Sequence, residues 1–161
     1  MINLKLKDKM IQRIQTVYLL IVTILTGAVL FLPTADFYSL QEGVFELNYK
    51  GLIGENGTLI TSTWNITLLM AVVLLLSFIS IFFYKKRILQ IRIIIFNIVL
   101  MLGYYALLAY WIFKIKGSLT DAEVSLSLIA SFPLINIILS YLAVRAIGKD
   151  EALVRSLDRL R

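Results

Sequence analysis

Residues 64–92 read WNITLLMAVVLLLSFISIFFYKKRILQIR, and this stretch decides the fold. From Trp64 to Tyr84 there is no Asp, Glu, Lys, Arg or His; Lys85, Lys86, Arg87 and Arg92 then follow without an intervening acid. A helix needs about 20 apolar residues to cross about 30 Å of hydrocarbon at about 1.5 Å per residue. A charge at its centre costs about 2.5–3.5 kcal/mol on insertion scales. The stretch therefore predicts a transmembrane span that ends at a basic membrane face.

Working outward, three further windows free of ionisable acids and bases have the same character: Ile14–Leu32, Ile93–Phe113 and Val124–Val144. The expected fold class is an all-α membrane protein, one integral domain over residues 1–161 built as a four-helix transmembrane bundle. Composition agrees. Sixty per cent of the 161 residues are hydrophobic and 16% are charged, whereas soluble domains run at about 45–50% apolar and about 25% charged. The first window follows a basic start, as a secretory signal does. Its apolar run continues to Leu32 and stops at Pro33, and Thr34-Ala35-Asp36 makes a poor cleavage site, so an uncleaved span is expected. Met10, rather than Met1, is an alternative start.

Charge then orients the bundle, because basic residues are retained on the cytoplasmic side. Lys5, Lys7, Lys9 and Arg13 precede span one; Lys85, Lys86, Arg87 and Arg92 join spans two and three; Arg145, Lys149, Arg155, Arg159 and Arg161 follow span four. Only Lys50, Lys114 and Lys116 fall in the other two connections. Both termini are expected in the cytoplasm, with the loop at residues 33–63 outside and a cytoplasmic tail over residues 145–161. The overall charge of +6 thus divides by membrane side and is no nucleic-acid footprint.

The outer loop alternates. Val44, Glu46 and Asn48 interleave with Phe45, Leu47 and Tyr49, and Glu42-Gly43, Lys50-Gly51 and Asn56-Gly57 supply turn chemistry. This predicts a small β-hairpin with strands near 37–41 and 44–50, resting on the helix ends because an isolated hairpin is marginal. In the tail, Leu153, Val154, Leu157 and Leu160 share one face of an amphipathic helix over Gly148–Arg161, expected to lie on the inner membrane surface or to dock a partner.

The chain has no Cys and no His. Disulfides, thiolate nucleophiles, imidazole bases and most zinc or haem sites are excluded. No catalytic, cofactor or metal residues are assigned, and neither cofactor nor metal is expected. Acids with outward access are Asp36, Glu42, Glu46, Glu55, Asp121 and Glu123. Within the spans the costly polar residues are Asn97 and Asn136, with Ser127 and Ser131 as a small-residue face; these are candidate interhelical contacts. Pro133 is expected to kink span four and release a carbonyl near Ile129. Trp64, Tyr84, Tyr104 and Tyr105 read in part as interface residues. Candidate partner or headgroup contacts are Arg13, Lys85, Lys86, Arg87, Arg92, Arg145, Arg155, Arg159 and Arg161.

Three segments carry a resemblance: Met10-Ile11-Gln12-Arg13-Ile14-Gln15-Thr16-Val17-Tyr18-Leu19, Lys85-Lys86-Arg87-Ile88-Leu89-Gln90-Ile91-Arg92, and the tail from Asp150 to Arg161. Together they resemble a family of four-span inner-membrane proteins of the Bacteroidetes known as a domain of unknown function. The family carries Asn and Ala where Val144 and Leu157 stand here. The resemblance implies an inner-membrane location and no particular reaction or ligand. With the residues, it leads to the expectation of a non-catalytic accessory or assembly subunit of an inner-membrane complex, with membrane lipids and other membrane proteins as partners. The alternative is a binder or transporter of lipid or small apolar molecules, with its pocket between the helices beside Pro133 and Asn136.

Overall fold

The computed structural model describes residues 2–39, 43–119 and 121–158. Its elements are α1 (Ile2–Phe31), β1 (Ala35–Ser39), β2 (Gly43–Asn48), β3 (Gly51–Gly54), β4 (Leu59–Thr61), α2 (Trp64–Phe82), α3 (Arg87–Ser118), β5 (Glu123–Leu126) and α4 (Phe132–Asp158). A single 3₁₀ turn, Phe83–Lys85, joins α2 to α3, and another, Leu128–Ser131, leads into α4. Four helices are long and apolar enough to cross a membrane, over Ile14–Phe31, Trp64–Phe82, Arg87–Ser118 and Leu128–Ala152.

The helices are apolar on both their packed and their outward faces, with polar side chains set among the buried ones. Between 22% and 28% of each of those windows is buried. The buried positions include Gln15, Thr26, Ser77, Ser80, Gln90, Asn97, Asn136 and Ser140, while Ile24, Leu75, Val99 and Ile138 face outward. A hydrocarbon solvent tolerates that outward apolar surface and leaves polar groups to pair between helices.

One end of the bundle carries a five-stranded sheet in the order β4-β3-β2-β1-β5. The expected hairpin is present as β1 and β2, with Phe37 opposite Phe45 and Ala35 opposite Leu47. It is part of a larger antiparallel sheet in which β5, from the connection between α3 and α4, pairs with the free side of β1. Phe37, Phe45, Leu47 and Leu52 turn inward and pack with Val29, Met70, Tyr104, Leu108, Trp111 and Ile115. A two-stranded ribbon lacks the apolar area to persist in water; seating five strands on the helix ends supplies it. Tyr104, expected in part at an interface, is buried in this cluster.

Three further expectations are corrected around α4. Val124 does not begin a span: residues 123–126 form β5, and the helix starts at Phe132. Pro133 accordingly lies in the first helical turn, where its missing N–H would have no intrahelical partner, so the expected kink and freed carbonyl do not arise. The tail is not a separate surface helix either. Helix α4 runs through Gly148 to Asp158 without a break, and Arg159 and Arg161 lie outside the described residues.

At the turn from β2 to β3 the Lys50 N–H donates to Asn48 Oδ1 at 3.0 Å. Gly51 follows at φ +138°, and a Cβ there would collide with the carbonyl oxygen of Thr61. Only glycine meets both conditions.

Candidate functional site: a polar seam and a lateral cleft

Polar side chains line the helix contacts from one end of the bundle to the other. At the end opposite the sheet, Arg87 at the start of α3 reaches α4, placing Nη2 3.0 Å from Asp150 Oδ2 and Nη1 4.0 Å from Glu151 Oε2. The Asp150 side chain is 1% exposed and that of Arg87 19%. One turn further on, Gln90 Nε2 donates to the Ser80 carbonyl at 3.0 Å. Asn97 Nδ2 donates to Ser77 Oγ at 2.7 Å, tying α3 to α2. Asn136 Nδ2 donates to Thr26 Oγ1 at 3.1 Å, tying α4 to α1, and Thr26 Oγ1 donates in turn to the Val22 carbonyl at 2.7 Å. Every helix of the bundle is therefore cross-linked by at least one polar contact, although the Oδ1 atoms of Asn97 and Asn136 are buried without a hydrogen-bond partner among the described residues.

Toward the sheet, Tyr105 organises the start of α4. Its hydroxyl donates to the Ala130 carbonyl at 2.9 Å and accepts the Leu134 N–H at 2.9 Å. The first amides of a helix lack intrahelical acceptors; here a residue of a neighbouring helix supplies one, as a cap side chain normally would. Trp111 Nε1 donates to Asn65 Oδ1 at 3.1 Å, fixing α3 against the first turn of α2. The Lys114 ammonium lies 4.7 Å from the Trp111 ring centre.

Beside Tyr105 the chain passes from β5 through the 3₁₀ turn into α4 and leaves a lateral cleft of about 720 Å³. Tyr105, Leu108, Ala109 and Ile112 of α3 form one wall. Leu126, Ser127, Leu128, Ala130, Ser131 and Leu134 form the other. A second recess, of about 20 Å³, lies beneath the sheet among Thr34, Thr63, Thr67 and Tyr104. That is room for about one water and no organic ligand.

The expected site residues divide accordingly. Asn97 and Asn136 each bond across helices, whereas Ser127 and Ser131 sit before α4 and line the cleft. Arg87 faces Asp150, and Lys86, Arg92 and Arg145 are exposed. The side chains of Arg13, Lys85, Arg155, Arg159 and Arg161 lie outside the described part. On the outward face of the sheet Asp36 stands directly opposite Glu46, while Glu42 falls outside the described residues. Among the described residues no three His, Cys, Asp or Glu side chains converge to hold a metal.

Sequence reasoning missed the roles of Tyr105 and Asp150. The signal for Asp150 was present: it is an acid at the end of an apolar helix, facing an all-basic connection. For Tyr105 there was none, because its partners are backbone atoms placed by the tertiary fold.

A comparison with curated proteins returns no match. Residues 11–160 match the family described as domain of unknown function DUF4293, and the chain belongs to that family.

Proposed function

We propose that this chain is a non-catalytic integral protein of the bacterial inner membrane, both termini cytoplasmic, acting as an accessory or assembly subunit of a membrane protein complex. The observation that carries this is the charge distribution at the end opposite the sheet. The two acids there whose side chains are described, Asp150 and Glu151, both face Arg87. Lys86, Arg92, Arg145 and Lys149 are exposed around them, and among the described residues none of these four forms an ion pair. A basic rim without ion pairs among the described residues suits an acidic face of a partner, with anionic headgroups filling the remainder. The polar bonds of the spans hold helices together, which is what a scaffold requires.

The test is crosslinking in native membranes followed by mass measurement in mild detergent. A second protein recovered with the wild type, and lost with the triple substitution Lys86→Glu, Arg92→Glu and Arg145→Glu while the bundle stays folded, supports the proposal. A folded wild type recovered only as a lone chain, or a partner indifferent to these charges, overturns it. For the alternative of a ligand beside Asn136, Nδ2 is held by Thr26 Oγ1 while the buried Oδ1 has no hydrogen-bond partner among the described residues; the apolar walls for such binding lie at the lateral cleft.

A further inference from the structure

We propose that the cleft between α3 and the start of α4 is a seat for one phospholipid, with an acyl chain against its apolar walls and the phosphate beside Lys116. Three observations meet there. The first is size and chemistry: about 720 Å³ falls in the roughly 300–1,000 Å³ range of small-molecule sites. The walls are carbon apart from Ser127, Ser131 and the Tyr105 hydroxyl, and that hydroxyl is committed to Ala130 and Leu134.

The second is depth. Arg92 is the last exposed base on α3 at the end opposite the sheet; counted from it at about 1.5 Å per residue, Tyr105 stands about 20 Å along the helix, Ile112 about 30 Å and Lys116 about 36 Å. A hydrocarbon layer of about 30 Å that begins at Arg92 therefore contains the cleft and finishes at Ile112, just short of Lys116. Trp64, exposed at the start of α2, and the Trp111–Asn65 bond mark the same level, where indole rings sit in membranes.

The third is charge. Tyr105, Leu108, Ala109, Ile112 and Lys116 follow one another at helical spacing, so Lys116 continues the cleft's own stripe about 6 Å beyond Ile112. It is exposed and, among the described residues, forms no ion pair. Lys114 by contrast is held over Trp111. Among the described residues neither Asp121 nor Glu123, the acids that follow α3, forms an ion pair with Lys116. On β5 Glu123 and Ser125 are exposed opposite Tyr38 and Asp36, whereas Val124, opposite Phe37, packs toward the core. An apolar slot at the edge of the hydrocarbon, topped by one unshared cation, complements a lipid phosphodiester and the chain below it.

Native mass spectrometry of the full chain tests this, with added palmitoyl-oleoyl phosphatidylglycerol or the matching diacylglycerol as probes. The wild type is expected to retain one phosphatidylglycerol. Ala109→Trp, which fills the slot, should abolish retention, and Lys116→Gln should weaken it about fivefold without altering diacylglycerol binding. Leu128→Ala, with helicity followed by circular dichroism, provides a second cleft variant that adds no bulk and should weaken both probes. Retention unchanged in folded Ala109→Trp, or equal loss of both probes in Lys116→Gln, overturns the assignment. A photoreactive side chain at position 109 should label lipid in native membranes; labelling of a second protein there would overturn the proposal in favour of a helix-binding groove.

Discussion

Arg87 and Asp150 meet 3.0 Å apart at the end of the bundle opposite the sheet, joining the α2–α3 connection to the last third of α4. The carboxylate is buried and the guanidinium is half-buried. The contact ties α3 to α4 at that end, next to the Gln90 bond that ties α3 to α2.

Removing one partner should therefore cost far more than removing both. Asp150→Ala or Arg87→Ala leaves a poorly solvated charge and is expected to lower stability by about 3 kcal/mol. The pair Arg87→Met with Asp150→Leu should recover most of that loss. Reversible unfolding in mixed micelles with increasing SDS measures both. Equal losses for single and double variants would refute the coupling.

The amide bonds within the spans should each matter modestly. Asn97→Ala and Asn136→Ala are expected to cost about 1 kcal/mol apiece. Their effects should add, because one ties α3 to α2 and the other α4 to α1, without shared partners. The same unfolding assay on the two single variants and their combination checks this.

Tyr105→Phe removes an acceptor from the Leu134 amide and a donor from the Ala130 carbonyl while leaving the ring in place. Local rather than global loosening is expected, since only the entry to α4 depends on the hydroxyl. Hydrogen exchange should accelerate over residues 128–134 and stay unchanged over α2. Uniform acceleration would refute a local role.

The sheet offers two opposite outcomes. Gly51→Ala forces a side chain into the Thr61 carbonyl at a left-handed position and should detach β4, seen as protease sensitivity between residues 50 and 62. Glu46→Thr removes the like charge directly opposite Asp36 and should raise stability by about 0.5 kcal/mol. A shift in thermal melting in detergent measures the second.

The four helices long and apolar enough to cross a membrane were legible in the chain because hydrocarbon transfer is nearly additive along sequence, so a window of about 20 residues contains the whole signal. The β1–β2 ribbon was legible for a related reason: alternation of Phe45 and Leu47 with Glu46 and Asn48 is local. Asn97 and Asn136 stood out by cost alone, and the structure supplied Ser77 and Thr26 as their partners.

What the linear pattern could not contain was pairing. Val124 and Leu126 run into the apolar residues of α4, and a short apolar run has the same composition whether it begins a helix or completes a sheet. Only the free edge of β1, brought beside it by the bundle, makes residues 123–126 a strand and moves the start of α4 to Phe132. That displacement puts Pro133 where it costs nothing, opens the cleft beside Tyr105, and leaves Asp150 level with Arg87. The chain's composition determined that it builds helices long and apolar enough to cross a membrane; the tertiary structure decided which polar groups meet, because each bond needs two partners distant in sequence and one shared level along the bundle.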